Sequence, residues 1–163
     1  MSKVFLHFKT PWMAGTGLLF ICCVVFFPLL ENFFIWDDDS YLTKNLLLND
    51  IDGLKRIWLE LGATPQYYPL VFTSFWIEHK FWALDPLGYH VDNVILHCIN
   101  TVLLWRILSF LRVKGSWFAA AIFAIHPVQV ETVAWITERK NLLSGFFSFL
   151  SLYFFLKFYN PDK

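Results

Sequence analysis

The chain has 163 residues, 57% of them hydrophobic, 20% aromatic and only 16% charged, whereas soluble domains carry about 45–50% apolar and about 25% charged residues. The excess is gathered into long runs, which excludes a soluble globular domain and marks an integral membrane protein. Formal net charge is zero, so no basic field argues for nucleic acid as a partner.

In chain order, residues 1–12 form a short N-terminus carrying Lys3 and Lys9. The apolar run over 13–35 reaches the roughly 20 residues a helix needs to span a bilayer. A secretory signal is the rival reading of that run, but Phe27-Pro28-Leu29-Leu30-Glu31 offers no small-residue cleavage site. Directly after it comes Trp36-Asp37-Asp38-Asp39-Ser40-Tyr41. Three adjacent carboxylates repel one another and must be solvated, paired or bound to a cation, so they belong at the surface beyond the span.

Residues 36–88 form a large external loop. Asn49 or Asp50 caps a helix running to Leu61, with Ile51, Leu54, Ile57, Trp58 and Leu61 on one face. Leu70 to Ile77 is apolar but too short to cross, and is expected to be a second interfacial helix stopped by Glu78-His79-Lys80. The second span covers 89–111. His90, Asn93, His97 and Asn100 fall within an arc of about 80° along it, a stripe that faces a bundle interior or a wet cavity or simply bonds to neighbouring helices. A short third helix over 112–126 ends at His126-Pro127, where proline removes a backbone donor; one continuous span from Gly115 to Ile136 is the alternative. Residues 127–140 form an external segment ending in Glu138-Arg139-Lys140, residues 141–159 the fourth span, and 160–163 a tail. Cys22, Cys23 and Cys98 lie inside apolar runs and suggest neither disulfides nor a metal motif. Positive charge at Lys3, Lys9, Arg106, Arg112, Lys114, Lys157 and Lys163 places the N-terminus in the cytoplasm. The expected fold is therefore an all-α integral membrane protein, with about four transmembrane helices and interfacial helices in the first external loop.

That orientation puts Asp37, Asp38, His126, Glu131, Arg139 and Lys140 at one membrane face. A carboxylate there can act as general base on an attacking hydroxyl, and Arg139 with Lys140 can hold a phosphate leaving group by charge-assisted hydrogen bonds. Asp37 to Asp39 also fit a solvated loop or a loose calcium site. Asp37-x-Asp39 matches the short D-x-D pattern of nucleotide-sugar enzymes, and Arg139 and Lys140 fit ordinary interfacial anchors. A proton or ion path through Asp92, His97 and Asn100 is a further rival.

The runs Trp36-Asp37-Asp38-Asp39-Ser40-Tyr41, Tyr68-Pro69-Leu70, Gly88 to His97, Asn100-Thr101 and His126 to Lys140 resemble the membrane part of the transmembrane-and-tetratricopeptide-repeat family and its bacterial relatives. That family is similar to the protein O-mannosyltransferases with the GT-C membrane fold. The resemblance implies a partial GT-C-like bundle that transfers a sugar, mannose in eukaryotic members, from a polyprenyl-phosphate carrier to protein Ser or Thr hydroxyls. It implies chemistry on the non-cytoplasmic side, in a bacterial inner membrane or the ER membrane, with membrane lipid, the lipid-linked sugar and a protein acceptor as partners and no metal. Carried over, Asp37 and Asp38 are the catalytic acidic pair; Arg139, with Lys140, is assigned to the donor phosphate on its charge and its depth at the headgroup level. His90, Asn93, His97, His126 and Glu131 are supporting residues. Family members are much longer and carry helical repeats, so the resemblance also implies an N-terminal part, inactive alone, whose C-terminal half is missing. The alternative is a non-catalytic anchor for a repeat domain that binds partners.

Overall fold

A computed structural model of the chain describes residues 11–159. Residues 1–10 of the expected cytoplasmic N-terminus and the tail 160–163 lie outside the described residues. Among the described residues every regular element is helical, and three helices are long and apolar enough to cross a membrane, over Trp12–Glu31, Pro86–Phe110 and Ile136–Tyr159. The protein is an all-α membrane protein.

Helix α1 (Pro11–Phe26) tightens into a short 3₁₀ turn over Phe27–Glu31, because Pro28 has no N–H to continue the α ladder. The helical part of the first span thus stops at Glu31, although the apolar run continues through Ile35. Helix α4 (Pro86–Phe110) starts three residues before Tyr89, since Asp85 caps it by accepting a 3.0 Å hydrogen bond from Leu87 N–H and Pro86 is pre-set for the first helical position. Gly88 has to be small there: a Cβ would lie 2.3 Å from the Trp82 ring. Helix α4 is the central element, packed against α1, α5 (Ser116–Ile125), α6 (Val128–Ala134) and α7 (Arg139–Tyr159). Its lipid-facing neighbours expose large side chains such as Phe20, Phe27, Ile122, Phe154 and Phe158, as a surface solvated by acyl chains does.

Helices α5 and α6 are two separate helices bent by 61° at His126-Pro127, so a single straight span from Gly115 to Ile136 does not form. The third helix occupies only Ser116–Ile125 of the expected 112–126, because Arg112 and Gly115 take left-handed backbone angles, φ 59° and 78°.

The external loop is a packed layer. Helix α2 (Ile51–Leu59) is capped by Asp50, whose carboxylate accepts from Gly53 N–H at 2.6 Å. It docks through Gly53 and Ile57, and a Cβ at Gly53 would fall 2.0 Å from the Leu47 carbonyl oxygen. The helix stops at Leu59, short of the expected Leu61, and of the face shared by Ile51, Leu54, Ile57, Trp58 and Leu61 only Ile57 is buried, while Ile51, Trp58 and Leu61 are exposed. Helix α3 (Pro69–Trp82) buries Val71, Phe72 and Phe75, and Tyr41 stacks on Phe72 at 4.9 Å. The core so formed also takes in Tyr89 of α4 and Ile136, which fixes the loop to the ends of the spans.

Candidate active site

The acidic run begins with a backbone contortion. Trp36 adopts φ 48°, a left-handed conformation that costs a residue with a Cβ roughly 1–2 kcal/mol, and its ring meets Trp135 edge-on at 5.0 Å. A five-residue π turn, Asp39–Thr43, follows. The result separates the three carboxylates. Asp37 is exposed. Asp38 is fully buried, accepting from Ile35 N–H at 2.9 Å and from Thr137 N–H at 3.1 Å. Asp39 turns away to Lys44 at 2.7 Å and Thr43 at 2.9 Å. Burial pushes the Asp38 carboxyl up to about 6, against the downward pull of its two backbone donors. The hydrogen bonds from Thr43 and Lys44 hold Asp39 below the usual carboxylate range. The three groups do not converge on one point, and no group of three or more His, Cys, Asp or Glu side chains placed to hold a metal ion occurs among the described residues.

The bond from Thr137 ties the acidic loop to the Glu138-Arg139-Lys140 break. Arg139 begins α7 yet is 1% exposed. Its guanidinium donates to Asn93 Oδ1, to Glu78 Oε1 and, at 3.1 Å, to the Tyr89 carbonyl, and it lies over the Phe75 ring at 5.3 Å. All of its donor nitrogens are therefore committed inside the protein. Lys140 instead reaches outward, 2.6 Å from Glu138 Oε1 and above the Trp135 ring at 5.6 Å. It lines a cleft of about 570 Å³ whose walls are largely apolar, including Trp58, Leu70, Leu143 and Phe147.

The polar stripe of α4 points at the breaks in the neighbouring chain. Asn93 donates to the Val133 and Trp135 carbonyls at 3.2 and 3.3 Å, holding the end of α6 where the helix stops. His97 Nε2 lies 3.0 Å from the Ala124 carbonyl at the end of α5, and Asn100 donates to Leu142 O at 2.9 Å. His90 is buried near the Phe33 backbone, and neither ring nitrogen makes a hydrogen bond of normal geometry. His126 is exposed, and its Nδ1 accepts from Val128 N–H at 3.2 Å, starting α6 after the break. Glu131 is exposed on α6.

Comparison with known proteins gives this arrangement a context. No family model matches the chain, and no solved structure matches it. Curated proteins do. The chain is 31% identical over 157 residues to Protein O-mannosyl-transferase Tmtc1 of Drosophila melanogaster, covering 88% of this chain and 18% of that protein. It is 37% identical over 137 residues to Protein O-mannosyl-transferase TMTC2 of Mus musculus, covering 76% of this chain and 16% of that protein. A Caenorhabditis elegans relative, Protein O-mannosyl-transferase F38B6.6, is 29% identical over 156 residues, covering 86% of this chain and 22% of that protein. The chain's homologues are protein O-mannosyl-transferases of the TMTC family. It spans about a fifth of their length.

Glu78 belongs to this site and escapes sequence reasoning, which takes Glu78-His79-Lys80 as a charged helix stop. Its side chain is only 12% exposed and faces Arg139, with Oε2 buried and unpartnered. Burial pushes it up to about 7, opposed by the positive charge of Arg139. The usable signal was that an arginine among apolar segments needs a carboxylate partner, and Glu78 is one of few near a span.

Proposed function

We propose that the chain is the membrane-embedded catalytic part of a glycosyltransferase that moves a mannose-like sugar from a polyprenyl-phosphate carrier to Ser or Thr hydroxyls of a protein acceptor. The observation that carries the reading is the bond from Thr137 to Asp38, which holds the acidic loop against the cationic break although 99 residues separate them. The relatives, which are protein O-mannosyl-transferases, supply the reaction class.

In this reading Asp37, the solvent-facing carboxylate of the pair, accepts the acceptor's hydroxyl proton as its oxygen attacks the sugar C1. The bond from C1 to the phosphate oxygen breaks, and the phosphate leaves on its lipid. Asp38 holds the loop in register and bears on Asp37 as a neighbouring charge. Lys140 receives the phosphate at the polar edge of the apolar cleft, which suits a prenyl chain. Arg139 acts from behind as a positioning residue, since it is buried and each of its three nitrogens donates to a group inside the protein: Asn93, Glu78 and Tyr89. The chemistry takes place on the non-cytoplasmic side.

The test is transfer of labelled mannose from polyprenyl-phosphate mannose to a Ser/Thr peptide, in membranes from cells expressing the chain in a full-length context. Removing a general base costs roughly 10²–10⁴-fold, so Asp37→Asn lowers kcat by at least a hundredfold. Lys140→Gln raises KM for the lipid donor and leaves kcat closer to its original value. Undiminished transfer by Asp37→Asn rules the assignment out.

A further inference from the structure

A second cavity, of about 220 Å³, lies among α4, α5, α6 and the first turns of α7, and shares Asn141 with the cleft that Lys140 lines. Its polar lining comes from His97 and Asn100 on α4, from Gln129 and Thr132 on α6 and from Asn141 on α7, and no Asp, Glu, Lys or Arg contributes to it. Phe123 and Phe149, packed edge to face at 6.2 Å, supply aromatic surface. Two of the lining groups lack partners. His97 is completely buried and bonded only through Nε2, which leaves Nδ1 unpartnered. Asn100 is 3% exposed and spends its amide N–H on Leu142, which leaves Oδ1 unpartnered. Each such orphan costs about 1–3 kcal/mol, and both residues border the cavity.

The lining chemistry narrows the occupant. An uncharged set of amide, hydroxyl and imidazole groups offers both donors and acceptors and repays no net charge on the ligand. Aromatic faces beside such groups suit a molecule with hydroxyls on its rim and C–H bonds on its face. Pockets for drug-sized ligands measure roughly 300–1,000 Å³, so this cavity of about 220 Å³ suits something smaller, such as a single sugar ring. We propose that it is a binding site for one neutral hexosyl group, held by His97, Asn100, Gln129 and Thr132 with Phe123 and Phe149 against the ring. The choice of a sugar over another neutral polyol rests on the transferase reading above. The hexosyl group is either the sugar of the lipid-linked donor or a free sugar.

Saturation-transfer difference NMR on the full chain in nanodiscs, with D-mannose as the probe, tests this without requiring transfer. Thr132→Val and Gln129→Met preserve shape and remove polar atoms for which no hydrogen bond is seen, and together they should cut the mannose signal at least fivefold. Gly145→Ala is an independent variant: its Cβ would sit 3.3 Å from Asn100 Nδ2 at the cavity wall and should weaken the signal too. Displacement of mannose by a short-chain prenyl-phosphate mannose, but not by the prenyl phosphate alone, assigns the site to the donor's sugar. Binding that neither compound displaces assigns it to a free sugar. No mannose signal from folded chain, or a signal unchanged in the double variant and in Gly145→Ala, overturns the proposal. A chain that transfers mannose yet shows no such binding loses only this inference. One that binds mannose here but transfers none loses only the function proposed above.

Discussion

At the scale of single residues, the site turns on how three consecutive aspartates are divided. Asp38 is the buried one, and each of its oxygens accepts a backbone N–H. Asparagine can replace only one of those acceptors and turns an amide donor toward the other N–H. Leaving one buried donor unmet costs about 1–3 kcal/mol, so Asp38→Asn should lower thermal stability in detergent, while Asp37→Asn, at an exposed position, should not. The acidity of Asp38 gives a second readout. Because burial lifts it to about 6, the folded chain takes up a proton before the unfolded chain does. This group's contribution to stability therefore falls as pH rises from near 4 to about 6, and is constant above that. If the ionised form of Asp38 supports transfer, the rate should rise through pH 6 with one ionisation, and Asp38→Asn should remove that limb. A profile flat from pH 5 to 7 contradicts the role. The cluster itself was legible in the sequence, as three carboxylates that hydrocarbon cannot hold. Which of the three is buried was not, because that depends on the positive φ of Trp36 and on Thr137, 99 residues away.

At the scale of elements, the site is assembled by one buried cation. Arg139 joins α3 through Glu78, α4 through Asn93 and Tyr89, and α7 through its own backbone. Removing one partner of a buried pair leaves the other charge uncompensated, at about 3–5 kcal/mol. Glu78→Gln should therefore destabilise the protein by roughly that amount, read as the shift in its SDS-unfolding midpoint. A loss under 1 kcal/mol would show that Glu78 is not the compensating charge. The α4 stripe was visible as a helical period, with both a cavity and interhelical bonding open to it. The structure gives Asn93, His97 and Asn100 backbone carbonyls at or beside the helix ends of α5, α6 and α7, and His97 and Asn100 also line the smaller cavity. Helix starts were readable where a side chain caps them, as at Asp50 and Asp85. The buried face of α2 was not, because it is set by the contact of Gly53 with Leu47, a feature of tertiary approach rather than of helical period.

At the scale of the whole molecule, a bundle centred on α4 carries a packed cap formed by the loop between α1 and α4. The cap's core includes Tyr41, Leu42, Tyr89 and Ile136, so the end of the acidic loop and the break before α7 pack into one core. In the proposed function these two segments form one reactive face on the non-cytoplasmic side. Labelling of introduced cysteines in sealed, oriented membranes with a membrane-impermeant maleimide tests it most directly. Asp37→Cys, His126→Cys and Glu131→Cys should all react from the non-cytoplasmic side, and Lys157→Cys only from the cytoplasm. Reaction of Asp37→Cys from one side and of Glu131→Cys from the other would contradict it.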